Sequence, residues 1–582
     1  MRTLSLLPAL ASLGACATGR DGPAPVAPVD VHILALNDFH GALEPPNVAV
    51  DAEDATGRAV KLPAGGVAHL ASAVASRRSR ARHSIVVAAG DLTGASPFVS
   101  SQFLDEPAIL AMNAVGLELN AVGNHEFDRG PAELQRLQKG GCAKHTARTP
   151  CRVDRDFPGA RFGYLAANVR TESGDTLFPG TALRRFGSGK RQVTVGFIGL
   201  TLRETPTLVV PTAVAALRFE DEAATINAAA PRLRAAGADA VVVLIHQGLN
   251  TTGLPNDRAC PSVAGGLLPI LARLDPSVDL VVSGHTHEAY LCDHRRIDPA
   301  RPFLVTSAGR SGTLLTDVTL SIDPVRGRVV TRRAENVIVQ GVAFSGPSGA
   351  VPVQPAFPAF PADPRLSALV GRYAAAAKPI ADRVVGRLTA PATRERNAAG
   401  ESLLGRLVAD AQLLATGAEI AFMNAYGLRA DIVPSAGGEV TFGQLYAAQP
   451  FGNQLQVKGL TGRQIRAALE QQFASGSNTV ARPNMLQVSR GFSYAYDLRR
   501  PEGSRIVGLR LNGAPVADER RYRVAVSNFL AGGGDNFTAF REGVDLPGGA
   551  EDLAALEALF GSAAVTPPTD ERVRRLDPPP PR

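Results

Sequence analysis

Gly123-Asn124-His125-Glu126-Phe127-Asp128 follows Leu119-Asn120-Ala121-Val122, a short apolar run that reads as a buried strand. The hexapeptide therefore sits where a strand ends and a loop begins, the place where open α/β sheets put their ligand sites. Asn124 offers a neutral oxygen to a metal ion and His125 an imidazole beside it. Asp128 is close enough in sequence to turn back and hold that imidazole in one tautomer. A polar turn with an incidental histidine would read the same way in isolation. Further pieces of the same pattern elsewhere in the chain decide between the two.

Val31-His32-Ile33-Leu34-Ala35-Leu36 is an apolar strand, and Asn37-Asp38-Phe39-His40-Gly41 follows its carboxyl end. Asp38 and His40 are two apart, so extended backbone points them the same way, whereas His32, inside the strand, reads as structural. Ser84 to Ala89 is a second strand and ends in Gly90-Asp91, the glycine permitting a sharp turn. Glu106 to Val115 reads as a helix, Gln192 to Leu200 as a strand, and Ala224 to Ala236 as a helix. Ala240 to Ile245 is fully apolar and ends in His246-Gln247-Gly248; Val278 to Val282 repeats the pattern and ends in Ser283-Gly284-His285-Thr286-His287. Strands alternating with helices imply a mainly parallel central sheet with helices on both faces.

Asp38, His40, Asp91, Asn124, His246, His285 and His287 form a mixed oxygen and nitrogen ligand set. It suits zinc, manganese, iron or cobalt, and is large enough for two ions if one carboxylate bridges them. Paired divalent ions serve in-line displacement at phosphorus. In order and context these motifs resemble the calcineurin-like metallophosphatase superfamily. The resemblance implies that Asp38, His40, Asp91 and His287 hold one ion and that Asp91, Asn124, His246 and His285 hold the other, with Asp91 bridging. It makes His125 with Asp128 the catalytic dyad. His69, His83, His145 and His294 match no motif and read as surface or structural residues.

At 582 residues the chain is too long for one ordinary domain, and two are expected. The formal charge of +7 comes mostly from scattered arginines, which read as a solvated surface rather than a nucleic-acid face. Residues 1–15 read as an export signal, with Arg2 ahead of a short apolar core from Leu4 to Leu13. Leu13-Gly14-Ala15-Cys16 resembles a bacterial lipobox, which makes Cys16 the expected lipid-bearing residue and membrane anchor; residues 16–29 are a Pro/Ala-rich tether. The remaining Cys142, Cys151, Cys260 and Cys292 suggest disulfides in an exported protein, with Cys142–Cys151 and Cys260–Cys292 favoured over the two other pairings.

Residues 341–364 are rich in Pro, Gly, Ala and Val without periodicity and read as a linker. Arg365 to Lys378 reads as a helix ended by Pro379, and a second folded unit then runs to about residue 575 before a tail at 576–582. Met423-Asn424-Ala425-Tyr426-Gly427-Leu428-Arg429, Gln449-Pro450-Phe451-Gly452-Asn453 and the run from Ser527 to Phe537 resemble the 5'-nucleotidase C-terminal domain. The mature chain thus resembles the bacterial 5'-nucleotidase / UDP-sugar hydrolase family.

That resemblance implies an α/β architecture: a calcineurin-like β-sandwich flanked by helices over 30–340 and a second α/β substrate-binding domain over 365–575. Phe451 and Phe529 would sandwich a base, Arg429 and Arg396 would meet the phosphate or nucleoside, Asp535 would accept the ribose hydroxyls, and Asn453 would approach the base edge. Tyr426 stands where the family has a glycine. The upstream arginine is displaced, leaving Arg394 and Arg396 as candidates, of which Arg396 is favoured. The expected activity is hydrolysis of the 5'-phosphate of a small nucleotide. The alternatives are hydrolysis of UDP-sugars or 2',3'-cyclic nucleotides on the same scaffold, and a nucleotide-binding surface protein without catalysis.

Overall fold

The computed structural model describes residues 26–346, 349–547, 549–561 and 563–577. Cys16, the export signal and most of the tether lie outside them. The first domain is built on two six-stranded sheets. One runs Arg328–Ile338, Leu314–Asp323, Val29–Leu36, Ser84–Ala88, Leu119–Ala121, Gly163–Leu165 in spatial order. The other runs Ala289–Asp293, Leu304–Ala308, Leu280–Ser283, Ala240–Ile245, Val193–Leu200, Thr181–Phe186. Pairing among the strands that lead to the motifs is parallel, as is that of the edge strand Gly163–Leu165, whereas Leu314–Asp323, Arg328–Ile338, Ala289–Asp293 and Thr181–Phe186 pair antiparallel.

The two sheets pack face to face. Val31, Ile33 and Ala35 of one meet Val242, Leu244 and Val282 of the other in a shared buried cluster. The alternate residues Leu34, Leu36, Val86 and Ala88 point the other way, into a core beneath the helices Val67–Arg78 and Glu106–Val115. Val241, Val243 and Ile245 likewise pack with the helix Glu222–Ala235. This corrects the expectation of one central sheet with helices on both faces and agrees with the sandwich. A strand covered by a second sheet and a strand covered by helices are equally apolar, so the sequence does not distinguish them.

The stretch 341–364 is not an irregular linker. It carries the hairpin Phe344–Gly346/Gly349–Val351, and Phe360 is buried in the first domain's core. The following helix runs Pro364–Ala381, capped by Asp363, whose carboxylate accepts from Arg365 N and Leu366 N. Pro379 lies in its last turns without ending it, because the helix is held along its length by packing. Leu366 enters the first domain's core, and Tyr373 packs edge-on against Phe103 with centroids 5.2 Å apart. The helix therefore docks on the first domain.

The second domain has a five-stranded sheet, Leu486–Val488, Ile420–Asn424, Arg521–Ser527, Leu455–Thr461, Val544–Leu546, with the helices Leu403–Thr416 and Gly462–Glu470 against it. Arg572 clamps Asp410 through two bonds of 2.7 and 2.9 Å and so ties the C-terminal segment to the first of these helices. Cys142 is bonded to Cys151 and Cys260 to Cys292. Among the described residues no helix is long and apolar enough to cross a membrane.

Tyr373 is fully buried, and its hydroxyl donates to Asp154 Oδ2 at 2.9 Å. Tyr373→Phe removes only that bond and should cost about 1.5–3 kcal/mol. Tyr373→Ala also removes the ring and should cost about 3–5 kcal/mol. Urea unfolding should rank wild type above Tyr373→Phe above Tyr373→Ala; equal stability of all three would mean the helix is not docked through this ring.

Candidate metal centre and cavity

The carboxyl ends of the parallel strands in the two sheets lie side by side, and the motifs meet there. Asp38, His40, Asp91 and Asn124 come from the first sheet, and His246, His285 and His287 from the second. Asp91 Oδ2 lies 3.0 Å from His246 Nε2 and 3.7 Å from His40 Nε2. Asn124 Oδ1 is 3.1 Å from His246 Nε2 and 3.1 Å from His285 Nδ1. On the other side, His40 Nε2 and His287 Nε2 are 3.1 Å apart, and Asp38 Oδ1 lies 3.9 Å from the first and 3.6 Å from the second. The structure thus brings the whole predicted ligand set together, with Asp91 Oδ2 common to both sides.

Neighbouring backbone fixes the orientation of these rings. His40 Nδ1 is 2.9 Å from Gly94 O, and His246 Nδ1 is 2.8 Å from Ala89 O. A carbonyl can only accept, so each Nδ1 carries the hydrogen and each Nε2 turns toward the cluster. Asn37 donates to Asp38 Oδ2 and to Gly309 O, both at 2.7 Å, and His285 N donates to Asp38 Oδ2 at 2.9 Å. Asp38, His40, Asp91, His285 and His287 all have positive φ, between 47° and 72°. Such backbone costs of order 1–3 kcal/mol per residue and persists only where the surroundings over-determine it. Gly90 is required for close approach, since a Cβ there would lie 2.6 Å from His246 Nδ1.

The electrostatics fit divalent cations. Burial pushes His40 down to about 4, and burial with His246 pushes His285 down to about 3, so these rings are neutral lone-pair donors. Burial also holds His287 well below its ordinary value. The lone pair of His40 Nε2 faces His287 Nε2 at 3.1 Å, and with His287 in the Nδ1–H tautomer both nitrogens offer lone pairs to one Lewis acid. Burial alone would raise Asp91, but His246, itself raised against burial to about 10 by that carboxylate, and His125 hold it ionised, well below the usual carboxylate range. Nitrogen, carboxylate and amide oxygen donors in this mix match first-row transition ions.

His125 Nδ1 lies 2.9 Å from Asp128 Oδ2, and the same oxygen accepts from Ala95 N at 3.0 Å. Burial would lower the His125 pKa; Asp128 and Asp91 outweigh it and hold the ring above its ordinary range.

A cavity of about 650 Å³ opens from this cluster and is walled by both domains. Asp91, Asn124, His125, Asp128, His285 and His287 line one side; Arg429, Phe451, Asn453, Phe529 and Asp535 line the other. Phe451 stacks on His125 with centroids 6.0 Å apart, and the Arg429 guanidinium lies 5.8 Å from the Phe451 ring centre. Asp535 is buried, accepts from Asn424 Nδ2 at 2.7 Å, and is pushed up by burial to about 6. Asn453 Nδ2 donates to Asp552 Oδ2 at 3.0 Å, which orients the amide.

Arg396 does not line the cavity. It is exposed, with its guanidinium 5.8 Å from the ring centre of Tyr426, and Arg394 is paired with Asp431 at 2.9 Å. The local spacing displaces this arginine, as the departure from the family pattern foreshadowed.

Several residues escaped sequence reasoning. Glu126 is buried and accepts backbone hydrogens from both ligand loops; the available signal was a charge set between His125 and the apolar Phe127. Asn37 precedes a ligand and had no motif of its own. Gln247 and Arg482 line the cavity, and no local pattern marks Arg482. His32 is structural as expected, bonded to Asp317.

The family profile for calcineurin-like phosphoesterases matches residues 31–289, and that for the 5'-nucleotidase C-terminal domain matches residues 384–542. A cell wall protein of Listeria monocytogenes is 31% identical over 90% of this chain, and the chain spans 66% of that protein's length. A 5'-nucleotidase of Diplobatis ommata is 25% identical over 94% of this chain and 89% of its own. The crystal structure of a 5'-nucleotidase precursor from Thermus thermophilus superposes with a TM-score of 0.69 at 27% identity, covering 94% of this chain and 100% of that one. With a cluster of candidate metal ligands at the meeting edge of two sheets, joined to a 5'-nucleotidase C-terminal domain, the chain belongs to the 5'-nucleotidase family of calcineurin-like phosphoesterases, which are metal-dependent phosphoric ester hydrolases.

Proposed function

We propose that the chain hydrolyses the 5'-phosphate of nucleotides to nucleoside and phosphate, with two divalent ions in its cluster. Asp38, His40, Asp91 and His287 would hold one, and Asp91, Asn124, His246 and His285 the other. When bound, the ions supply Lewis acidity at the phosphoryl group and ease formation of a nucleophile from water at neutral pH. The observation that supports this assignment is a single cavity with the ligand cluster on one wall and Arg429, Phe451, Phe529 and Asp535 on the other.

Asp128 holds His125 so that its Nε2–H is free to donate to a phosphoryl oxygen, where negative charge grows during displacement. Arg429 adds a second donor from the opposite domain. Phe451 and Phe529 offer ring faces to the base, Asp535 an acceptor to the ribose hydroxyls, and the Asn453 oxygen an acceptor to the base edge. Arg396 is given no contact. Export and attachment through a lipid on Cys16 belong to the same proposal, supported by the lipobox resemblance and by the wall-associated Listeria relative.

Products released from AMP, UDP-glucose and 2',3'-cyclic AMP by the metal-loaded protein test the substrate class; phosphate from AMP should dominate. Asp91→Ala should abolish that release and lower the bound metal. His125→Ala should keep the metal and lose about 100-fold or more in kcat. Full kcat in His125→Ala would remove the dyad from the mechanism.

Phe529→Ala or Phe451→Ala should raise KM for AMP about tenfold, since stacking a base on a ring is worth about 1–3 kcal/mol. Bis(p-nitrophenyl) phosphate, which has no base, should be affected less. Equal losses on both substrates would place the base elsewhere.

Cys16→Ser should release the protein from the membrane fraction or block its processing. Wild type found wholly in the soluble fraction would end the lipid-anchor proposal.

A further inference from the structure

Glu126 is buried at 4% exposure between the two loops that carry Asp91 and Asn124. Its Oε2 accepts from Asp91 N at 2.9 Å and Gly123 N at 2.8 Å, and its Oε1 accepts from Leu92 N at 2.7 Å. One carboxylate thus takes three backbone hydrogens, two from the loop after Ser84–Ala88 and one from the loop after Leu119–Ala121. Asp91 is the ligand whose Oδ2 faces both His246 and His40, and its Oδ1 accepts from His125 N at 2.9 Å. Gly123 is pressed against it: a Cβ there would lie 2.1 Å from Asp91 Oδ1.

We propose that Glu126 is a positioning residue that sets the metal affinity of the centre by fixing the Asp91 peptide, and with it the aim of the Asp91 carboxylate. This role rests on the proposed metal centre. Asp91 stands at φ 52°, so its carboxylate points at the cluster only while that peptide is held. A carboxylate is acceptor-only and satisfies all three N–H groups; the glutamine amide has one acceptor and one donor end, and so opposes at least one of them.

Ligand-supporting residues of this kind typically change metal affinity about 10–100-fold. Glu126→Gln should weaken Zn or Mn binding by that factor in a chelator competition. It should leave KM for AMP within twofold and recover most of kcat at saturating metal. The melting temperature of the metal-free protein separates this from a folding defect. Metal affinity within twofold of wild type would overturn the proposal, whether or not the metal-free protein melts lower. If Glu126→Gln does not fold, Glu126→Asp carries the same readout, because it keeps the charge but is a methylene too short to reach both loops. An Asp91→Ala protein that still binds metal and hydrolyses AMP would instead remove the metal-centre assignment itself.

Discussion

Two carboxylates, Asp38 and Asp91, are buried where the strand ends of two sheets meet, and the local structure is arranged around that cost. An ionised carboxylate out of water needs a cation or several donors. Here donors come first: Asn37 and His285 N for Asp38, His125 N for Asp91. Imidazoles close the cluster, and burial keeps His40, His285 and His287 neutral. Burial raises Asp38 to about 7, Asp91 stays ionised beside His246, which Asp91 raises against burial to about 10, and no lysine or arginine is paired to either carboxylate among the described residues. A site of that composition is completed by a divalent cation.

The same demand explains the strained backbone. Five of the ligands occupy left-handed φ, a region that few non-glycine residues enter, although Asp and His do so more readily than most. They are held by bonds that run between loops rather than within them: Glu126 to Asp91 and Leu92, Asp128 to Ala95, Asn120 to Gly90. The sandwich makes these bonds possible by ending Leu36, Ala88 and Ala121 at nearly one level. Fold and site are therefore one arrangement, with aligned strand ends bringing the loops close enough to lock each other.

What the sequence disclosed follows from this. Each candidate ligand stands at the end of an apolar run, and short-range patterns of that sort are legible without tertiary information; the strands, the ligand set and the pairing of His125 with Asp128 came from it, and the catalytic role of that pair came from the resemblance. The second sheet was not legible from periodicity, because Val31 facing a sheet and Leu34 facing a helix are both simply apolar. Resemblance supplied the sandwich where periodicity did not. The docking of the helix Pro364–Ala381 was missed for a related reason: proline-rich sequence before it and Pro379 within it are local signals, and Tyr373 against Phe103 is a distant one. Glu126 was read as part of a motif without a role, since its partners lie 35 and 34 residues upstream.

The second domain meets the first through aromatic contacts rather than a polar seam. Phe98 packs edge-on against Phe442 and Tyr446, with centroids 5.9 and 5.0 Å apart, and Arg148 lies over Tyr446 at 5.7 Å. Tyr446 belongs to the helix Phe442–Ala448, and its hydroxyl donates to Pro450 O, the residue before Phe451. The contact that seats one domain on the other is therefore one short turn from the ring that stacks on His125. The metal-ligand cluster and the Phe451 ring sit on different domains but share this junction. A displacement of the Phe442–Ala448 helix would move Phe451 against the dyad and Arg429 against the cluster together. The geometry of the cavity thus depends on the domain contact as directly as the geometry of the cluster depends on the sandwich.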